Sequence, residues 1–244
     1  MYCHREPRFY LTVVWNGQWF KWENRNTNFL YGQPDGGPTH DAPQNGYLNR
    51  SRVSLDYIPR DNNHPYRPAI IFRMAEAYLS YAEALNESSE RMSHKQEILD
   101  NLNKIRHRAG IAEYGTGTDE NGFTRIKINF SDQKEVRRLI HKERRVEFVG
   151  EGVRYHDLRR WKTAHYGIGN LNEQGENPDW GVNGPDYGMN YYGTEYTDQG
   201  DNAFFKRTKY MDRVYPRKFY WYPIHQSEID KDPTLVQGPF WLGE

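Results

Sequence analysis

The chain has one cysteine, Cys3, no long apolar run, and no surplus of either charge. A lone cysteine cannot close an intrachain disulfide, so cysteine usage is silent about compartment. No apolar stretch reaches the length that a membrane-spanning helix needs. Lysine plus arginine (33) equals aspartate plus glutamate (33), which leaves no electrostatic case for nucleic acid or a lipid surface as partner. Also missing are H-E-x-x-H, cysteine–histidine metal spacing, a Walker loop, G-x-S-x-G and a dinucleotide fingerprint. The opening residues MYCHREPRF contain no apolar core, so no signal peptide is expected there, and Cys3 lacks the segment that should precede a lipidated cysteine.

Rings, by contrast, are plentiful. Aromatics make up 15% of 244 residues, although hydrophobics reach only 36% and the mean hydropathy is -1.03. Disordered chains are poor in aromatics, so this composition reads as one domain, or two small ones, with polar loops punctuated by rings.

The stretch Glu143 to Trp161, ERRVEFVGEGVRYHDLRRW, organises the rest. It reads as two helices hinged at Gly150 and Gly152. On the first, Glu143 and Glu147 share a face with Val136 and Ile140. On the second, Tyr155, Leu158 and Trp161 form an apolar stripe beside Arg154, Asp157 and Arg160. Glu143, Arg144, Glu147, Glu151, Arg154, Asp157 and Arg160 are therefore expected to form a partly buried ion-pair network across the hairpin, which sets register more than it adds stability.

Elsewhere, Phe9 to Trp15 is β-branched and aromatic and predicts a strand, with Asn16-Gly17 turning it back through Gln18 to Trp22. A second short strand is expected within Tyr47 to Asp56. Residues 23 to 68 otherwise read as loop. A helix is predicted from about Pro68 to Asn86, with Met74, Tyr78, Tyr81 and Leu85 as its apolar face and Ala75 and Ala82 on a neighbouring flank that permits close approach of a partner helix. The next runs from roughly His94 to Ala109, carrying Ile98, Leu102, Ile105 and Ala109 as its apolar stripe, and closes at Gly110. Asp132 is a candidate N-cap, with Glu135 completing a capping box. Residues 163 to 200 read as loop and 203 to 224 as extended.

Paired acids invite a glycosidase reading on Glu143, Glu147 and Asp157. Neighbouring arginines should depress those carboxyl pKa values, however, whereas a general acid needs the opposite. Asp119 to Gly122 and Asp198 to Asn202 offer oxygens to calcium but are ordinary turn chemistry. The nine histidines show no ligand spacing. That leaves the loop rings. A sugar presents an apolar face and a hydroxyl edge, so exposed indole and phenol planes beside amides form a candidate glycan surface: Trp19, Trp22, Tyr31, Trp180 and Tyr187. Tyr191 and Tyr192 are read as packing. Three stacked rings at about 1 kcal/mol each, with a few hydrogen bonds, would place affinity between roughly millimolar and micromolar.

Three motifs, in order, resemble one family. The hairpin matches E-R-R-x-E-F-x-x-E-G-x-R-x-x-D-L-R-R-W. Phe72 to Glu87 is similar to R-x-A-E-x-Y-L-x-Y-A-E-A-x-N, and Leu102 to Gly110 to L-N-x-I-R-x-R-A-G. Together they resemble the C-terminal part of SusD/RagB-type outer-membrane nutrient-binding proteins. Pro223 to Gln237 is similar to that family's ending, departing at His225 and at Gly238-Pro239-Phe240. The resemblance implies a mainly α fold of tetratricopeptide-like helical hairpins with aromatic-rich loops and a few short strands. The expected division is residues 1–67 as hairpin and loop, 68–164 as helical hairpins, and 165–244 as an extended cover. It further implies a non-catalytic, cofactor-free, metal-free binder of an oligo- or polysaccharide at the outer-membrane surface. Its partner would be a SusC-like TonB-dependent transporter, and its anchor a lipid on a preceding segment absent from this chain. A purely structural helical adaptor is the alternative.

Overall fold

Phe9 to Trp15 divides between two conformations. Pro7 at the first helical position pre-sets φ for a short helix, α1 (Pro7–Thr12), and the extended backbone begins only at β1 (Val13–Trp15). The ring-rich segment expected as strand is thus helical in its first half, which turns Arg8 inward to bury it. The expected hairpin does not form either. β2 (Trp19–Phe20) pairs with β3 (Arg25–Asn26), while β1 pairs antiparallel with β4 (Tyr47–Asn49), Val14 opposite Leu48. The Asn16-Gly17 turn is tied elsewhere: Gly17 N donates to Thr27 O at 2.8 Å, and Phe29 N donates to Asn16 Oδ1 at 2.7 Å. The computed structural model describes residues 2–51, 53–54, 61–62, 65–66, 69–167 and 181–241. The side chain of Trp22 also falls outside that description, as does Pro68.

The helices follow: α2 (Met74–Glu87), α3 (Lys95–Ala109), α4 (Gln133–Glu147) and α5 (Val153–Arg160). α2 starts later than its periodicity predicts because Arg73 is held extended at its N-cap. There the guanidinium reaches Glu151 through Nε at 2.9 Å and Nη2 at 2.7 Å. The buried face of α2 centres on the expected alanine flank, and Tyr78 and Leu85 of the predicted stripe pack partly buried beside it. Ala75, Leu79, Ala82 and Asn86 point inward, whereas Met74 and Tyr81 are exposed. Small residues win because they let α3 and α4 approach closely enough to share one core, with Ile98, Leu102, Ile105, Val136 and Ile140. Asn86 and Gln133 close that contact by donating amide hydrogens to each other's main-chain oxygens, at 3.3 and 2.7 Å.

α3 ends at Gly110 in the left-handed conformation, as expected. Asp132 caps α4 by accepting from Lys134 N and Glu135 N. The reciprocal half of the box is replaced, since Asp132 N donates to Asn129 O. Between α4 and α5 the chain reverses through Gly150 and Gly152, both at positive φ. At Gly150 a Cβ would also lie 2.1 Å from Asn49 Nδ2 and 2.2 Å from Ser51 Oγ, so those side chains would have to move aside.

Within the predicted 163–200 loop lies β5 (Gly184–Gly188), paired with β6 (Thr208–Arg213). The extended stretch after β6 contains a 3-10 turn at Arg217–Tyr220. A last helix, α6 (Gln226–Lys231), follows, and Gln237 closes the terminus on Ile224 with two main-chain hydrogen bonds. The architecture is mainly α, helical hairpins with a few two-stranded ribbons. Among the described residues, no helix is long and apolar enough to cross a membrane.

Candidate functional site

The aromatic side chains gather where two distant loops meet. Met189 and Phe204 are buried with Phe29 and Leu30, and that small core seats the turn at residues 190–193 against residues 28–36. Asn190 builds the turn. Its Nδ2 donates to Asp201 O and Ala203 O, and its Oδ1 accepts from Tyr192 N at 3.1 Å. This Asx-type turn sends the two tyrosines different ways. Tyr191 lies over the backbone of Gly37, where a Cβ would meet its ring at 2.5 Å. Tyr192 faces outward and is 69% exposed, contrary to its assignment as packing.

Tyr31 joins them because its N–H donates to Gly193 O at 2.9 Å. Its ring centroid lies 5.5 Å from that of Tyr192 and 6.1 Å from that of Tyr191. Amides line the adjoining loop: Asn28 donates to Gln33 Oε1 and accepts from the exposed Tyr196 hydroxyl at 3.2 Å. Asp35 stiffens it, gripping the Arg25 guanidinium at 2.6 and 2.8 Å and accepting from Asn28 N. The hydrogen bond from Arg25 holds the Asp35 carboxyl below its usual range against the opposing effect of burial.

Of the five predicted rings, Tyr31 lies in this cluster. Trp19 stands on β2 opposite Asn26 and is 59% exposed. Tyr187 lies on β5 with the Arg207 guanidinium 4.2 Å over its ring, apart from the Tyr31 ring contacts. Trp180 and the side chain of Trp22 lie outside the described residues. Tyr192, Tyr196 and Asn28 were missed by the sequence reading. The one local signal was Asn190 two residues before Tyr192, the spacing of an Asx turn. Trp15 packs with Tyr2, Phe9 and Tyr10.

The acid-rich hairpin is a different kind of place. Glu147 accepts from Arg8 at 2.9 Å and from Arg73 and Arg108. Glu143 meets Arg8 at 2.7 Å and Arg106 at 2.9 Å. Asp157 takes both arms of Arg144 at 2.9 Å and Arg160 Nε at 2.9 Å, and Arg160 continues to Glu83, which also accepts from Trp161 Nε1. The Arg144–Asp157 pair joins α4 to α5 as the local reading expected, and Arg160 meets Asp157 within α5. The other partners come from α1, α2, α3 and the residue before α2. Arg154 sits near Arg145 and Arg213, and burial with those charges lowers its pKa to about 10.

Burial acts to raise the Glu147 carboxyl, but hydrogen bonds from Arg73 and Arg8 and the charge of Arg108 outweigh it and hold the pKa low. The side chains of Glu143, Glu147 and Asp157 are 4%, 1% and 5% exposed. A sugar cannot reach these buried side chains, and the low-pKa Glu147 carboxylate is no general acid, so these three residues do not form a glycosidase pair. Asp119 is likewise engaged, accepting from the backbone N–H groups of Glu113, Asn121 and Phe123. Among the described residues no three His, Cys, Asp or Glu side chains converge on one point.

The sequence model of the SusD family matches residues 1–241. This chain belongs to the SusD family. A SusD-like protein of Formosa agariphila is 32% identical over 109 residues, which is 45% of this chain and 18% of that protein. A second from the same organism is 33% identical over 109 residues, covering 43% and 19%. Among solved structures, a SusD-like protein of Bacteroides fragilis superposes with a TM-score of 0.66 at 27% identity, across 98% of this chain and 40% of its own. A SusD-like carbohydrate-binding protein of the same species gives 0.63 at 22% identity, across 96% and 42%. The SusD-like chain described here thus spans less than half the length of each of these relatives.

Proposed function

We propose that this SusD-family chain binds a glycan without catalysis at the outer-membrane surface and hands it to a TonB-dependent transporter. The observation that carries the reading is the ring cluster of Tyr31, Tyr191 and outward-facing Tyr192 beside Asn28, Gln33 and Tyr196. Trp19 stands exposed on the ribbon that leads into that loop. Rings set on a stiff, hydrogen-bonded loop lose little freedom on binding, and each offers one apolar face to a sugar. The family supports delivery to a transporter, and the solved carbohydrate-binding relative supports a glycan over other nutrients. Guanidinium-saturated acids away from this surface support binding rather than turnover. The buried network acts as scaffold: it ties α1, α2, α3 and α5 to α4.

Native affinity gels cast with a panel of soluble polysaccharides test this directly. One glycan should retard the chain, its oligosaccharide should reverse the effect, and Tyr192→Ala or Tyr31→Ala should abolish it. Retardation that survives both substitutions would move the site elsewhere. Release of reducing ends during incubation would refute the non-catalytic reading.

A further inference from the structure

A second cavity, on the opposite chemistry, lies between α3 and the excursion at residues 111–131. It is an open groove of about 1010 Å³, the upper end of the roughly 300–1,000 Å³ typical of pockets that hold drug-sized ligands. A single ion or one sugar would leave it mostly empty. Its floor is apolar: Tyr78, Leu99, Ile128 and Phe130 are half-buried there, packed on the main helical core. Over the floor stand three exposed ammonium groups, Lys95 and Lys104 from α3 and Lys127 from the excursion. Among the described residues, none of the three has a carboxylate within ion-pair distance, and Lys104 lies instead 4.5 Å over the Tyr78 ring.

The other polar groups lining the cavity are largely engaged. Asn103 uses both ends of its amide on the backbone of Tyr114, at 2.9 and 2.8 Å. Glu113 is shared by His107 and Arg125. Asp100 accepts from Gln96 at 2.8 Å but keeps its charge, so Asp100 and the exposed Glu120 stand against three lysines. A sugar needs amide, carboxylate and guanidinium partners for its hydroxyls, and here the Asn103 amide, the Glu113 carboxylate and the Arg125 guanidinium are already engaged within the protein. What remains in excess is ammonium charge, three lysines against two carboxylates, above an apolar trough.

We infer that this cavity is a docking site for an acidic, amphipathic polypeptide segment of a partner protein, whose apolar side chains enter the trough while its carboxylates meet Lys95, Lys104 and Lys127. The charge complementarity favours a peptide over a neutral glycan, and the site is separate from the Tyr31–Tyr192 cluster. Sites of this kind take their orientation from the charges and their contact area from the floor.

A random peptide library displayed on phage, panned in parallel against the parent chain and a Lys104→Glu/Lys127→Glu variant, tests the assignment. Both lysines are exposed, and the variant's circular dichroism and denaturation midpoint should match the parent's. Peptides enriched on the parent alone should interleave Asp or Glu with Leu, Ile or Phe. A synthetic copy of the strongest should bind about tenfold or more weakly to the variant, and more weakly at high salt. Lys104→Gln should give an intermediate loss. Absence of enrichment, enriched peptides without acidic residues, or equal affinity for parent and variant would overturn the inference. Polygalacturonate is the competing probe: if it retards the parent in gels but not the variant, the cavity is an acidic-glycan site instead. Tyr192→Ala should leave peptide binding intact, so failure of this inference and failure of the glycan reading are separately visible.

Discussion

Glu147 shows at residue scale what the buried charges do. One carboxylate, 1% exposed, compensates arginines from three separate segments. Replacing it with glutamine removes the shared buried counter-charge of the cluster, leaving Arg8 with Glu143 and Arg73 with Glu151 as partial compensation. Glu147→Gln is expected to cost about 3–5 kcal/mol, read as a lower urea midpoint. His141 gives a second prediction. It is buried, stacked on Trp161 at 3.5 Å. Burial first, and then the charges of Arg160 and Arg137, lower its pKa from 6.5 to about 3. Between those values the unfolded chain takes up a proton that the folded chain refuses, so stability falls as pH drops below 6.5. The slope should approach about 1.4 kcal/mol per pH unit from this group alone. Glu147, with its pKa held below 4.5, adds a further loss only below that ordinary value. Urea midpoints measured across the acid range should therefore begin to fall near pH 6.5, and His141→Gln should delay the fall until the carboxylates protonate. A parent flat down to pH 5 would contradict the assignment of neutral His141.

Elements in this fold meet through small residues and tight reversals. The α4–α5 turn needs positive φ at Gly150, and its backbone also approaches Asn49 and Ser51 beside β4. Gly150→Ala combines conformational strain with a collision and should destabilise the chain by about 1–3 kcal/mol in thermal or urea unfolding. A small glycan-affinity change would accompany it only if the ring cluster shifted, since that cluster sits on a different core. Much at this scale was legible in the chain: the α3 stripe, the Gly110 cap, the Asp132 cap and the hinge glycines depend on neighbours a few residues away. The first strand was not. Pro7 starts a helix through rings whose propensity favours extension, and Arg8 has a buried destination that local pattern cannot show. The face of α2 was legible in part: its alanine flank packs as expected, with Tyr78 and Leu85 beside it, but Met74 and Tyr81 stay exposed because close helix approach centres the buried face on alanine.

At the scale of the whole molecule, two surfaces with opposite physics stand on one neutral chain. Stacking on Tyr31 and Tyr192 involves no net charge, so glycan affinity should change less than about twofold between low and high salt, as titration calorimetry would show, whereas peptide binding at the lysine cavity should weaken. Equal salt dependence at both would mean that the charges do not define the second surface. The sequence by itself determined the family, through long motifs that survive as linear patterns, and with it the helical class and the clustering of acids and arginines. Only the tertiary structure decided which arginine meets which acid, because Arg8 and Glu147 lie 139 residues apart. It alone decided that Tyr192 faces outward beside Tyr31, because that orientation depends on an Asx turn seated on a core of four residues from two distant loops. Local chemistry is written along the chain, but a site made by convergence exists only once the chain has closed on itself.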